Sequence, residues 1–156
     1  MELHEHTQAA LKLVPRVWPS QLAQVYVYTD ASWKAGAVPG WAITVLGRGV
    51  NGDIAWLGYA TQRIDICNNL LVGDLADNNE AEAFAVIMAY LWAMDEPRIA
   101  NVPLTILPDS TLAIGMANGQ VQMRKASAIS ELIPAIHQAA TQNLRLSLPQ
   151  SVMFGE

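Results

Sequence analysis

The hydrophobic pattern changes period along the 156 residues. Val25 to Tyr28 is a run of β-branched and aromatic residues, which predicts a strand ending at Thr29-Asp30. Gly40 to Leu46 predicts a second strand and Ile54 to Thr61 a third, with Asn51-Gly52 between them as a hairpin signal. These three make an antiparallel meander. The stretch from Ile64 to Asn78 reads as loop, and Asn79 to Met94 then holds helix formers closed by Pro97. Leu104 to Leu107 predicts a short apolar strand, and Thr111 to Asn118 a short helix stopped by Asn118-Gly119. Ile129, Leu132, Ile133, Ile136 and Ala140 form a further helical stripe, with Ser127 or Ser130 as N-cap. Pro134 predicts that this helix starts late or bends. Leu144 to Leu148 predicts a fifth strand. The order βββ-α-β-α-α-β describes an α/β domain, a five-stranded mixed sheet flanked by helices. It occupies residues 24–156 and follows an N-terminal flank, 1–23, broken by Pro15 and Pro19.

Composition narrows the class. Apolar residues make up 52% and charged residues 15%, enough to build a core and unlike a disordered chain. No apolar run approaches the ~20 residues of a membrane span, so no membrane partner is expected. Met1 to Gln8 is polar and acidic, unlike a secretory signal, and the single Cys67 has no partner for an internal disulfide. Both features point to a reducing intracellular setting. The net charge of −5 argues against gripping nucleic acid by bulk electrostatics, because phosphate neutralisation needs clustered Lys and Arg. Arg124 and Lys125 form an adjacent basic pair. His4 and His6 lie in the flank without a third ligand beside them and read as solvated.

Three acids stand where chemistry is plausible. Asp30 terminates strand one, Glu82 lies in the first turn of the long helix, and Asp109 follows strand four. A helical crossover can make strands one and four parallel neighbours, which would bring Asp30 and Asp109 side by side with Glu82 in reach. Converging carboxylates repel unless a cation sits between them. Mg²⁺ prefers such oxygen ligands, and two ions about 4 Å apart suit phosphodiester hydrolysis. The plainer reading is a strand-end turn residue, a first-turn helix acid and an N-cap.

Three motifs favour the chemical reading. Tyr28-Thr29-Asp30-Ala31-Ser32 resembles the Thr-Asp-Gly-Ser strand end of ribonuclease H. Asn78-Asn79-Glu80-Ala81-Glu82-Ala83-Phe84-Ala85, with Ala89, resembles that family's helix bearing the second carboxylate. Leu107-Pro108-Asp109-Ser110 resembles its Asp-Ser pair after strand four. Order and spacing agree over residues 24–148, in the style of ribonuclease H domains of non-LTR retroelements. Glu80 and Glu82 compete for the second position. Glu80 shares a register with Phe84, Ile87 and Leu91, whereas Glu82 shares one with Ala85, Ala89 and Ala93. The family pattern selects Glu82 and leaves Glu80 as a surface acid.

The resemblance implies a ribonuclease H-like fold and an endonuclease that hydrolyses the RNA strand of an RNA–DNA hybrid. It implies Asp30, Glu82 and Asp109 as catalytic residues and ligands of Mg²⁺ or Mn²⁺, two ions in a complete site. It implies that Asn78 and Asn79 contact the hybrid, within a larger reverse-transcriptase polyprotein. Two departures stand out. Ala31 replaces the usual glycine. The family's histidine loop, fourth carboxylate and final helix have no counterpart in Gln150 to Glu156, and His137 reads as structural or exposed. The expectation is therefore a C-terminally incomplete domain with weak cleavage or none. The alternative is a non-catalytic structural or tethering module of a retroelement polyprotein.

Overall fold

Alternation of side chains is what assembles the sheet. The computed structural model describes residues 18–32, 34, 36, 38–63, 78–108 and 128–147. Strand β1 spans Leu22–Ser32, β2 Gly40–Gly49, β3 Ile54–Arg63 and β4 Leu104–Pro108. Helix α1 spans Asn78–Met94 and α2 Ala128–Asn143. The spatial order is β3-β2-β1-β4, with β5, the two residues Leu146–Ser147, pairing at the β4 edge. β1 runs antiparallel to β2 and parallel to β4, and β2 runs antiparallel to β3. The expected meander and the parallel β1–β4 pair are both present.

Several expectations need correction. Among the described residues the sheet has four full strands, and the fifth covers only Leu146–Ser147. The Leu144 amide still bonds Ala140 O at 2.9 Å, so the helical turn of α2 consumes the residues that were to begin that strand. Asp30 does not end β1. The strand continues through Ala31 and Ser32, paired with Trp41 and Gly40, and Asp30 stands one residue past Thr29–Pro108, the last described β1–β4 pair. Helix α2 neither starts late nor is capped at Ser130, which lies inside it. It starts at Ala128 and carries Pro134 inside it, so the Ser130 carbonyl receives no N–H from that proline. Ser127 and the short helix expected over Thr111 to Asn118 lie outside the described residues, as do His4, His6, Cys67, Arg124, Lys125 and Glu156. β1 begins two residues before the expected domain start at residue 24, and Trp18 joins the body. Its indole N–H donates to Leu57 O at 3.0 Å, and the Arg98 guanidinium lies 3.5 Å from its ring centre.

The core lies on one face of the sheet. Val25 and Val27 of β1, Trp41, Ile43 and Val45 of β2, and Leu104 and Ile106 of β4 point the same way and are buried against α1. α2 packs on α1 through Ile133, Ile136 and Ala140. Sandwiched between the sheet and α2, α1 is buried from Glu80 to Tyr90 on every side, as a helix apolar all round should be. Among the described residues, no helix is long and apolar enough to cross a membrane.

Candidate active site

Asp30 is exposed and belongs to the alternate set of β1 side chains, with Tyr26, Tyr28 and Ser32. Its Oδ1 accepts the Ala31 amide at 2.8 Å, which fixes the carboxylate at the strand. Beside it lies a shallow depression of about 150 Å³, lined also by Ser32, Gly40, Ala42 and Thr61. Gly40 keeps that floor low, because a Cβ there would stand 3.2 Å from Ser32 Oγ. The neighbouring Thr29 points the other way, toward the core, and is buried. Its hydroxyl has no hydrogen-bond partner among the described residues.

Glu80 and Glu82 lie on α1. The helix opens at Asn78, so Glu80 is the acid of the first turn and Glu82 belongs to the next. Glu80 is not a surface acid, as the sequence suggested. It is 5% exposed and Glu82 6%, and both are engaged by polar or charged partners. The reason is the sandwich, which buries the face of Phe84 and Ile87 as fully as the face of Ala85 and Ala89. Asn78 and Asn79 form the helix start in backbone, with side chains outside the described residues; Asp109 is outside them altogether. Among the described residues, no three acid, histidine or cysteine side chains come together. The structure thus places Asp30 and the two glutamates on adjacent packed elements and leaves the third acid unplaced.

Solved structures supply the frame for this geometry. RNase H1 of the halophilic archaeon Halobacterium salinarum superposes at a TM-score of 0.50 and 18% identity, over 85% of this chain and 89% of that one. The fold is ribonuclease H-like. An RNase H1 isolated from compost matches at a TM-score of 0.49 and 18% identity, over 86% and 89% of the two chains. The RNase H domain of PFV matches at 0.47 and 15%, over 84% and 79%. No protein-family model and no curated protein matches the sequence.

Two features of this ribonuclease H-like domain escaped the sequence reading. One is a bond across the helix pair: the Tyr90 hydroxyl lies 2.9 Å from His137 Nδ1, with ring centres 5.7 Å apart. Burial pushes the Tyr90 phenol well above its usual range and His137 below its own. His137 is half-buried and bonded across the helix pair, which is the structural one of the two expectations. The other is a β-bulge in β3. Val45 pairs with Gly58 but Leu46 with Trp56, so Leu57 is the extra residue. Gly58 sits at φ 140°, a backbone region that disfavours side chains. A glycine inside a strand pattern was the available signal.

Proposed function

We infer that this domain is a metal-dependent nuclease directed at RNA–DNA hybrids, with Asp30, Glu82 and Asp109 as its carboxylates. The observation that carries the reading is the position of Asp30. It is solvent-facing, held by the Ala31 amide, and one residue past Thr29–Pro108, the last described pair of β1 with its parallel neighbour β4. Asp109 is bonded to Pro108, the partner of Thr29. The donor set fits a hard divalent cation such as Mg²⁺ or Mn²⁺, because carboxylate oxygens are the ligands these ions prefer. When bound, such a cation supplies Lewis-acid stabilisation for phosphodiester hydrolysis. In this reading Asp30 offers its outward carboxylate to the cation, and the depression at Ser32 and Gly40 admits the backbone of the scissile strand. Asn78 and Asn79, at the helix start, are the proposed contacts to the hybrid, which is read by shape and 2′-hydroxyls rather than by sequence.

The non-catalytic module has no observation of its own in its favour. The PFV match is to a domain of a larger protein, since the native foamy virus protease-reverse transcriptase is covered over only 18% of its length. A reverse-transcriptase context remains a proposal on that ground. The test is cleavage of an end-labelled RNA–DNA hybrid by residues 1–156 with Mn²⁺. Weak cleavage confined to the RNA strand and lost in Asp30→Asn is the expected result. Cleavage that survives Asp30→Asn would refute the assignment of the site.

A further inference from the structure

The face of the sheet opposite α1 and α2 carries an ordered set of side chains. Paired residues share a face, so the pairings define rows across β1, β2 and β3. Tyr26, Leu46 and Trp56 form one row, and Tyr28, Thr44 and Tyr59 the next. Asp30, Ala42 and Thr61 follow, then Ser32, Gly40 and Arg63. At the other end stand Gln24, Arg48 and Ile54. Both described helices pack on the opposite face.

Three rings there are open to solvent: Tyr28 is 47% exposed, Trp56 45% and Tyr59 37%. Strict alternation would put Trp56 and Tyr59 on opposite faces. The bulge at Leu57-Gly58 instead brings both to this one, where they stack with centroids 5.8 Å apart and planes 16° from parallel. The Trp56 indole N–H donates to Gly58 O at 3.0 Å, which ties the ring to the bulge that positions it.

Charge on this face runs against that of the chain. The protein has a net charge of −5, yet these rows hold two arginines, Arg48 and Arg63, and one acid, Asp30. Eight residue steps along β2 separate the Arg48 row from the Arg63 row, roughly 27 Å at ~3.4 Å per step. Rigid rings flanked by separated guanidinium groups meet the needs of an unpaired strand. Its bases have free faces to stack, and its phosphates recur along the length. A duplex keeps its bases inside and cannot use the rings.

We propose that this face binds single-stranded nucleic acid, with bases on Trp56, Tyr59 and Tyr28 and phosphates at Arg48 and Arg63. A span of that length takes roughly four or more nucleotides. The proposal concerns binding and does not rest on cleavage, so it is tested in EDTA. Fluorescence anisotropy of a labelled dT₁₂ strand is measured with residues 1–156 and compared with a duplex of the same length. Wild type should bind the strand more tightly than the duplex. Trp56→Leu and Tyr59→Leu should each weaken binding about tenfold, the scale of one lost base stack. Trp56→Phe, which keeps a ring, should retain most of the affinity and serves as the control for folding alongside a thermal melt. Arg63→Gln should lower the dependence on salt by about one phosphate contact. Equal binding by wild type and folded Trp56→Leu would overturn the proposal, and so would a preference for duplex. A Trp56 shielded from acrylamide quenching in the full chain would overturn it too, since the face would then be covered from within.

Discussion

Tyr90→Phe isolates the bond that joins the two helices. The substitution keeps the ring and its packing and removes only the hydroxyl 2.9 Å from His137 Nδ1. The lost hydrogen bond and the polar nitrogen left behind together cost about 1–3 kcal/mol for buried groups. His137 is only half-buried, so water can reach its ring and the lower end applies, about 1 kcal/mol. In a protein of this size that lowers Tm by roughly 2–4 °C. The pH dependence sharpens the test. Burial raises the Tyr90 pKa, so above about pH 10 the unfolded chain ionises its tyrosine while the folded chain resists. Wild type therefore loses stability as pH rises there, and Tyr90→Phe is spared that contribution. Burial lowers the His137 pKa, so both proteins lose stability as pH falls from about 6.5 through the folded value. Urea melts at pH 8 and pH 10.5 give the comparison. The destabilisation should be present at pH 8 and shrink at pH 10.5. A cost that is equal at both values, or absent at pH 8, would refute the role assigned to this pair.

Thr29→Val replaces a buried hydroxyl that has no partner among the described residues with a methyl of similar shape. It should leave stability unchanged or raise it by up to about 1 kcal/mol, read by thermal melting; a loss of more than that would mean the hydroxyl is satisfied in solution. Phe84→Ala empties a fully buried ring site on α1 and should cost about 3–5 kcal/mol in urea melts; a cost under 1 kcal/mol would contradict the packing of α1 against the sheet. If hybrid cleavage is measurable, Glu82→Gln should abolish it while Glu80→Gln keeps most of it. The reverse outcome would move the second carboxylate by two residues.

The strands were legible because one face of the sheet is buried and the other is not, and that contrast writes a period of two into β1 and β2. The parallel β1–β4 pair followed from a long helical segment between them, since parallel neighbours need such a crossover. The bulge in β3 left only one mark in the sequence, a glycine inside a strand pattern. Trp56 and Tyr59 are three residues apart, and a regular strand would turn them to opposite faces. Only pairing with β2 shows that Leu57 is an insertion and that both rings face solvent. β5 starts later than expected for a related reason. Leu144 to Leu148 has a strand composition, but the hydrogen bond from Leu144 back to Ala140 ties its first residue to the last turn of α2. Composition cannot weigh a helical turn already under way against an edge strand.

The same limit governs the two glutamates, and it bears directly on the site. Periodicity separates a large-residue face from a small-residue face on α1, which predicts one exposed acid and one facing inward. That prediction assumes a helix with one wet side. Here α1 is buried on both faces, at Phe84 and Ile87 as fully as at Ala85 and Ala89, so Glu80 and Glu82 are buried alike and burial cannot choose between them. Geometry adds a constraint the sequence did not contain. Asp30 issues from the solvent-facing side of β1, whereas α1 packs on the other side, against Val25 and Val27. A carboxylate from α1 cannot reach Asp30 through a paired sheet. It can do so only around the end of the sheet, and Asp30 stands one residue past Thr29–Pro108, the last described pair. A metal held jointly by the two elements would therefore sit at the Asp30 end of β1, and not over the rows of Tyr26 and Tyr28.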